Sequence, residues 1–458
     1  MAEAALETAQ RALTLVGGGR GEIQVTVIRE RSLLSRFARS VPTQATEVDD
    51  VTVEILAERN GHTAIASTNR LDEQGLCAAA ERADAAARAS ASSGPGAYPG
   101  LAQPGPEPHA HQGFDAETAL LDPERAGAVL RETFAVAAEY GLEAFGVWTV
   151  GHVETAIASS AGMRLSDRVS DAFMKVVCRD ADGRSGFASA MASAASGIEP
   201  VTLARSAASK VSNEPPAELG PGTYPVVLEP QAVALLLEFF GALALNGLAH
   251  VEGRGALTGK LGTCVAASMI DLWDSPRFPR TLPRAFDFEG LPKASIPLIQ
   301  DGVAEAVVHD RRSAAMAGDG ARSTGHAAQP GGSPFGPVPT NLVLLGGAAA
   351  DVSELAAPIE RGIYVTRLWY VNPVREKETL LTGMTREGTF LIEDGKITRP
   401  LRDVRFTDSV LHLLSATEAL THEQRLVGEG EFYGRRFAHG VVCPALRADG
   451  FRVTGATR

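Results

Sequence analysis

Apolar residues recur at helical spacing from Leu6 to Leu15. The glycines at 17–19 then close that helix, and EIQVTVIRE (22–30) alternates at period two, as a half-buried strand does. SLLSRFARS (32–40), VTVEILAE (51–58) and HTAIASTN (62–69) continue a small antiparallel sheet. The last two are joined through Arg59, Asn60 and Gly61, because Asn-Gly readily takes the positive φ that a hairpin turn needs. Thr68 or Asn69 is placed to cap a helix over 71–89, with Leu76 and a row of alanines on its packed side. Residues 92–113 are crowded with Pro and Gly and read as a linker.

A second module follows, with a helix around 124–140, strands near 143–149, 152–158 and 170–180, and a helix at 200–211. Pro215 and Pro216 mark its end. The third module opens on the strand GTYPVVLEP (222–230) and a long helix with Pro230 at its first position, where a missing N–H costs nothing. Ala232–Leu245, the most apolar stretch, is broken by Glu238 and is shorter than the roughly 20 residues a membrane helix requires, so it reads as buried. The end of that helix is assigned to LALNGLAHVEGRG (243–255). Strand, Asp-Gly turn and strand recur in 297–308 and 389–404, which predicts two hairpins. The aperiodic stretch 318–341 is long enough to suggest a binding surface. The expected class is α+β. N-terminal α/β modules with small antiparallel sheets (1–91 and 114–216, linked by 92–113) precede a larger, mainly β domain (217–458) containing one long buried helix.

Composition narrows function more than fold. With 458 residues, 45% hydrophobic and 21% charged, each module can bury a core without metal or disulfide staples. Lys and Arg total 43 against 55 for Asp and Glu, a net charge of −12, which has the wrong sign for a nucleic-acid partner. Cys77, Cys178, Cys264 and Cys443 lie far apart without a CxxC pair, so a reducing cytoplasm is the expected setting. The N-terminus has two Glu before any Arg and no secretory pattern. Sparing use of Lys beside abundant Arg and Ala suggests a GC-rich bacterial genome.

No HExxH, GxSxG, P-loop or strand-following GxGxxG occurs, and Gly17–Gly21 precedes a strand where phosphate binding needs a helix N-terminus. His109 and His111 could chelate a metal from an extended segment, but they lie in the linker without a third ligand and read as solvated. Arg311, Arg312 and Arg322 could bind an anion, yet Asp310 and Asp319 beside them favour ordinary ion pairing. The segment that gathers most chemistry holds Asn246, His250 and Glu252 ahead of a glycine-rich exit. These three are the candidate groove residues.

Several stretches in matching order resemble the TldD/PmbA family of gyrase modulators and zinc peptidases. They are HTAIASTNRLDEQGL (62–76), IASSAGMRLSD (157–167), the region from DGVAEAVVHDRRSA to STGHA (301–327), PTNLVLLGG (339–347), GIYVTRLWYVNPVREKETLLTGMTREGTFLIEDGKI (362–397) and PALRADGFRVTG (444–455). The resemblance implies that catalytic, TldD-type members carry HExxxH on the helix of the last domain, with a C-terminal cysteine completing a zinc site. Laid so that its second His meets His250, the motif meets Leu245 and Asn246, which supply neither a ligand nor a base. Cys443 lies too near the closing segment to take the ligand role. The resemblance therefore implies the metal-free PmbA or TldE type. That is a catalytically inactive subunit with no cofactor of its own, pairing as a heterodimer with a zinc-bearing TldD-type subunit and helping to enclose an extended, unfolded or leader-type peptide. Two alternatives stand beside it. One is a stand-alone metal-dependent hydrolase built from His250 with His309, His326, His439 or Cys443, and the other is a regulator acting on gyrase.

Overall fold

The computed structural model describes residues 4–18, 21–318, 320–431 and 434–456, so the expectations that touch Gly19, Arg20 and Asp319 lie outside the described residues. Helix α1 (Ala5–Val16) leads into β1 (Glu22–Ala38), β2 (Val41–Arg59) and β3 (His62–Thr68), followed by α2 (Glu73–Ala91). Asn60 and Gly61 turn the β2–β3 hairpin with φ of 49° and 77°, as the Asn-Gly pair predicts. The segments 22–30 and 32–40 form one strand. β1 pairs along nearly its whole length with a neighbour on each side, so ladder bonds carry its backbone through the polar stretch Arg29–Ser32. The cap of α2 is Asp72 in place of Thr68 or Asn69, its carboxylate accepting from the Gly75 N–H at 2.7 Å.

Next come α3 (Pro123–Glu139), β4 (Glu143–Ser159), β5 (Arg164–Arg179), β6 (Ser185–Ala192) and α4 (Pro200–Ser209). β1 and β4 pair antiparallel, which gives one sheet in the order β3-β2-β1-β4-β5-β6. The two N-terminal modules expected on either side of 92–113 therefore share a sheet. The linker has no regular element but is no free spacer. Tyr98 and Leu101 pack on Leu56, and the Leu101 N–H donates to Glu22 Oε2 at 2.8 Å. Helices α1 and α2 pack with Val25, Val27 and Ile55, while α3 and α4 pack with Trp148, Met174 and Val176.

The rest of the chain comprises β7 (Gly222–Leu228), α5 (Pro230–Leu243), α6 (Gly247–Val251), β8 (Leu272–Asp274), β9 (Ile296–Gln300), β10 (Val303–Ala304), α7 (Arg311–Ala317), β11 (Leu342–Leu344) and α8 (Val352–Ala356). It continues with β12 (Arg361–Arg375), β13 (Leu380–Glu393), β14 (Lys396–Pro400), β15 (Val404–Ser409), α9 (Val410–Ser415), β16 (Thr417–Val427) and β17 (Val441–Ala456). The second sheet runs β10-β9-β8-β11-β17-β15-β13-β12-β7, and β7 also pairs β17, so its last five strands close on themselves. Phe406, Phe451, Leu381 and Leu391 belong to the core there, together with Val233, Leu237 and Phe240 of α5. The class is α+β, as expected. No described helix is long and apolar enough to cross a membrane.

One boundary changes the reading of the site. Helix α5 stops at Leu243, well short of 255, because the chain leaves it to pair with another segment. Val308 N–H donates to Leu245 O, and Gly247 N–H donates to Val308 O, both at 2.9 Å. Asn246 then starts α6 as its cap, its side chain accepting from the Ala249 N–H at 3.1 Å.

Candidate functional site

Asn246, His250 and Glu252 do not converge. Asn246 is buried and spends its amide on the cap and on Phe335 O, to which Nδ2 donates at 2.6 Å. His250 is half-buried, its pKa lowered by burial. Glu252 is exposed and pairs with Arg254 at 2.6 Å. Burial first, and then the charges of His250 and His326 close by, lower the pKa of His309, yet each of the other sequence-named groups has a partner of its own. His309 Nδ1 lies 3.1 Å from Ser313 Oγ, and His326 Nε2 lies 3.0 Å from Asp274 Oδ1. The Cys443 thiol is buried, its pKa pushed up by desolvation and by the charge of Glu238, and it donates to Pro230 O. Among the described residues no three His, Cys, Asp or Glu side chains gather in a way that could hold a metal. His111 is not the solvated residue expected, because its Nε2 sits 2.9 Å from Asp167 Oδ1. Arg311 is likewise no free surface cation: its guanidinium donates to Gly100 O, pinning the 92–113 strap.

Chemistry gathers instead one helix earlier. Glu238 interrupts the apolar α5 and faces a cavity of about 360 Å³, within the size range of small-ligand sites. Asp167 of β5, Gly241 of α5, Arg284, Lys293, Pro339 and His439 line other parts of its wall. The aperiodic loop 318–341 contributes 325–328 and 338–340, so it does border a binding-sized space. Burial and the neighbouring Glu429 push the Glu238 carboxyl up to about 7. His439 is held neutral by burial, its pKa lowered.

A buried charge network supports one side of the cavity. Asp274 Oδ2 accepts from the Thr340 and Asn341 N–H groups at 2.8 and 2.9 Å, while Oδ1 faces His326 and, at 3.7 Å, Lys293 Nζ. Asp287 accepts three backbone N–H bonds, from Glu289, Leu291 and Ala327, yet burial still raises its pKa. Sequence reasoning passed over Arg284, Asp287 and Lys293. The available signal was the alternation of charged residues with phenylalanine in Arg284–Phe288, where no periodic element accounts for it.

Because α5 ends at Leu243, an HExxxH motif on that helix cannot fall on 245–250. The spacing that meets a carboxylate within α5 puts its Glu on Glu238 and its histidines on Leu237 and Ala242. Zinc needs about three protein donors. Leucine and alanine supply none, and the Cys443 thiol donates to Pro230 O, so the residues present do not fit a zinc ion. Glu238→Gln tests the electrostatics directly. A folded pKa above the ordinary glutamate value of 4.5 leaves stability intact below about pH 4.5 and subtracts from it as pH rises through about 7. The variant is expected to match the parent at pH 4.5 and to exceed it by about 2–3 kcal/mol at pH 8. Parallel urea titrations at both pH values check this, and equal differences at the two would refute the burial argument.

The structure resembles that of TldE from Thermococcus kodakarensis, with a TM-score of 0.84 and 20% identity over 99% of this chain and 100% of that one, a likeness of fold. In sequence it is 26% identical over 240 residues to a metalloprotease TldD homolog of Haemophilus influenzae, covering 51% of this chain and 48% of that protein. It is 24% identical over 206 residues to a metalloprotease of Methanothermobacter thermautotrophicus, covering 45% and 44%. The chain thus spans about half the length of the curated relatives it matches. Residues 221–455 match the family model described as the PmbA/TldA metallopeptidase C-terminal domain, and with half of its length so matched, the chain belongs to the PmbA/TldD family.

Proposed function

We propose that this chain is the non-catalytic, TldE-type subunit of a heteromeric peptidase, paired with a zinc-bearing TldD-type subunit and acting on unfolded or leader-type peptides in the cytoplasm. The observation that carries the reading is the state of α5. A carboxylate faces the cavity at Glu238, but the flanking positions where the motif has histidines hold Leu237 and Ala242. A scaffold that keeps its shape without donors suits the half of a pseudo-symmetric pair that shapes the substrate chamber.

Sheet edges suit the handling of an unfolded peptide. β6 ends the first sheet, and β16 pairs with β17 on one side while its other edge is bridged at Thr421 by Ala349. Both strands line a groove of about 500 Å³. Main-chain pairing with such edges is indifferent to side chains, as a subunit meeting many sequences requires. Four free thiols fit the reducing setting.

The test is reconstitution. The purified chain is expected to carry no stoichiometric zinc and to leave an unfolded reporter peptide intact, and addition of a TldD-type subunit from the same host is expected to give a stable complex that cleaves it. Stoichiometric zinc with peptidase activity in the isolated chain would overturn the reading.

A further inference from the structure

The cavity beside α5 is built for more than an uncharged ligand. Arg284 stacks on Phe437 with its guanidinium carbon 3.9 Å from the ring centroid, Phe437 lies 6.0 Å from Phe288, and Arg435 stacks on Phe288 at 4.7 Å. Two guanidinium groups thus bracket a pair of aromatic rings, and all four side chains line the cavity. Arg435 is satisfied by Glu54 at 3.0 Å. Arg284 donates to Ala438 O at 3.0 Å, and among the described residues no carboxylate comes within ion-pair distance of it. Lys293 is 5% exposed, and its Nζ has no hydrogen-bond partner among the described residues, the nearest acid being Asp274 at 3.7 Å.

The acids near these cations already have partners, Asp274 being the one that faces Lys293. Asp167 is engaged by His111 and by the Ala285 N–H at 2.9 Å, and Asp287 is engaged by three backbone N–H groups. Burial raises the pKa of Glu238 and of Asp287. A guanidinium with free donors is suited to a carboxylate's paired oxygens.

We infer that this cavity binds a carboxylate attached to an apolar body, with Arg284 and Lys293 taking the carboxylate and Phe286, Phe288 and Phe437 taking the apolar part. Two sources share that chemistry: the C-terminal residue of a peptide and a free amphipathic acid. In the first case the site deepens the function proposed above by setting where a peptide's end rests. Ligand binding is measured on the isolated chain without any partner, so either idea can fail while the other stands.

Calorimetry on the full chain provides the test, using N-acetyl-Ala-Ala-Phe as free acid and as C-terminal amide, and N-acetylphenylalanine. The free-acid peptide is expected to bind about tenfold or more tightly than its amide, the difference expected for a lost charge-assisted contact. Arg284→Gln should remove that preference, and Arg284→Lys should restore part of it. Ala242 is exposed on α5 and borders the cavity, so Ala242→Trp should fill the space and abolish binding of both peptides without disturbing the core. Tighter binding of the tripeptide than of N-acetylphenylalanine identifies a peptide terminus as the source, and the reverse identifies a small acid, each upholding the site. Equal affinity for acid and amide, a preference that survives Arg284→Gln in a folded variant, or undiminished binding by Ala242→Trp overturns it.

Discussion

Replacing Arg436 with methionine is expected to destabilise the protein by about 3–5 kcal/mol, the usual consequence of stranding one member of a buried ion pair. Arg436 is 3% exposed and Asp171 is 1% exposed. Nε and Nη2 of the arginine donate to the two carboxylate oxygens at 2.9 and 2.5 Å, and Nη1 donates to Thr149 Oγ1 at 3.1 Å. The fork reaches from the segment before β17 into the middle of the first sheet, between β4 and β5. Gly151 makes the approach feasible, since a Cβ there would come within 2.6 Å of Nε. Urea denaturation of Arg436→Met should show the loss. Arg436→Met with Asp171→Leu should recover most of it, because the double variant leaves no charge without a partner. A single variant as stable as the parent would mean that the fork adds nothing to joining the two halves.

Asp274→Ala is expected to have an effect of similar size, about 3–5 kcal/mol, for a related reason. Four groups lean on this fully buried carboxylate: the Thr340 and Asn341 N–H groups, His326 and Lys293. Burial works to raise its pKa, but Lys293 and His326 outweigh burial and hold the carboxyl well below the usual carboxylate range. A depressed folded pKa contributes stability that is present above the unfolded value near 4 and is lost as pH falls through the folded one. The gap between the parent and Asp274→Asn should therefore be full at pH 7 and shrink only in strong acid. Thermal unfolding from pH 7 to pH 2 measures it. A gap independent of pH would show that the amide hydrogen bonds, and not the charge, make Asp274 matter.

Elements with strong local signals were legible in the sequence. The Asn60–Gly61 hairpin, the Asp-Gly turns at 301–302 and 394–395, Pro230 at the start of α5 and the burial of that apolar helix each follow from backbone preference or apolar spacing within about ten residues. Long-range pairing was not legible. β1 reads as two segments because its middle is polar, and only its pairing with both β2 and β4 carries it through. The α2 cap was missed for a smaller reason: Asp72 stands three residues beyond Asn69, and both can cap a helix.

At the candidate site, the missing histidines were legible and their place was not. Apolar periodicity carried α5 past its end because nothing local in Leu243–Leu245 breaks a helix. The break comes from bonds to Val308, about sixty residues away in the chain. That displaced the motif from Glu238 to Asn246 and drew attention to His250.

By itself the sequence determined the α+β class, the acidic surface charge, the lack of histidines at HExxxH spacing and the likeness to TldD/PmbA proteins, all of which depend on residue identity or local order. Only the tertiary structure decided that the two N-terminal modules share one sheet, that 92–113 is a strap and that Glu238, Arg284 and Lys293 face one cavity. The physical reason is that burial and charge proximity depend on segments far apart in the chain packing together, and no local pattern encodes which segments those are.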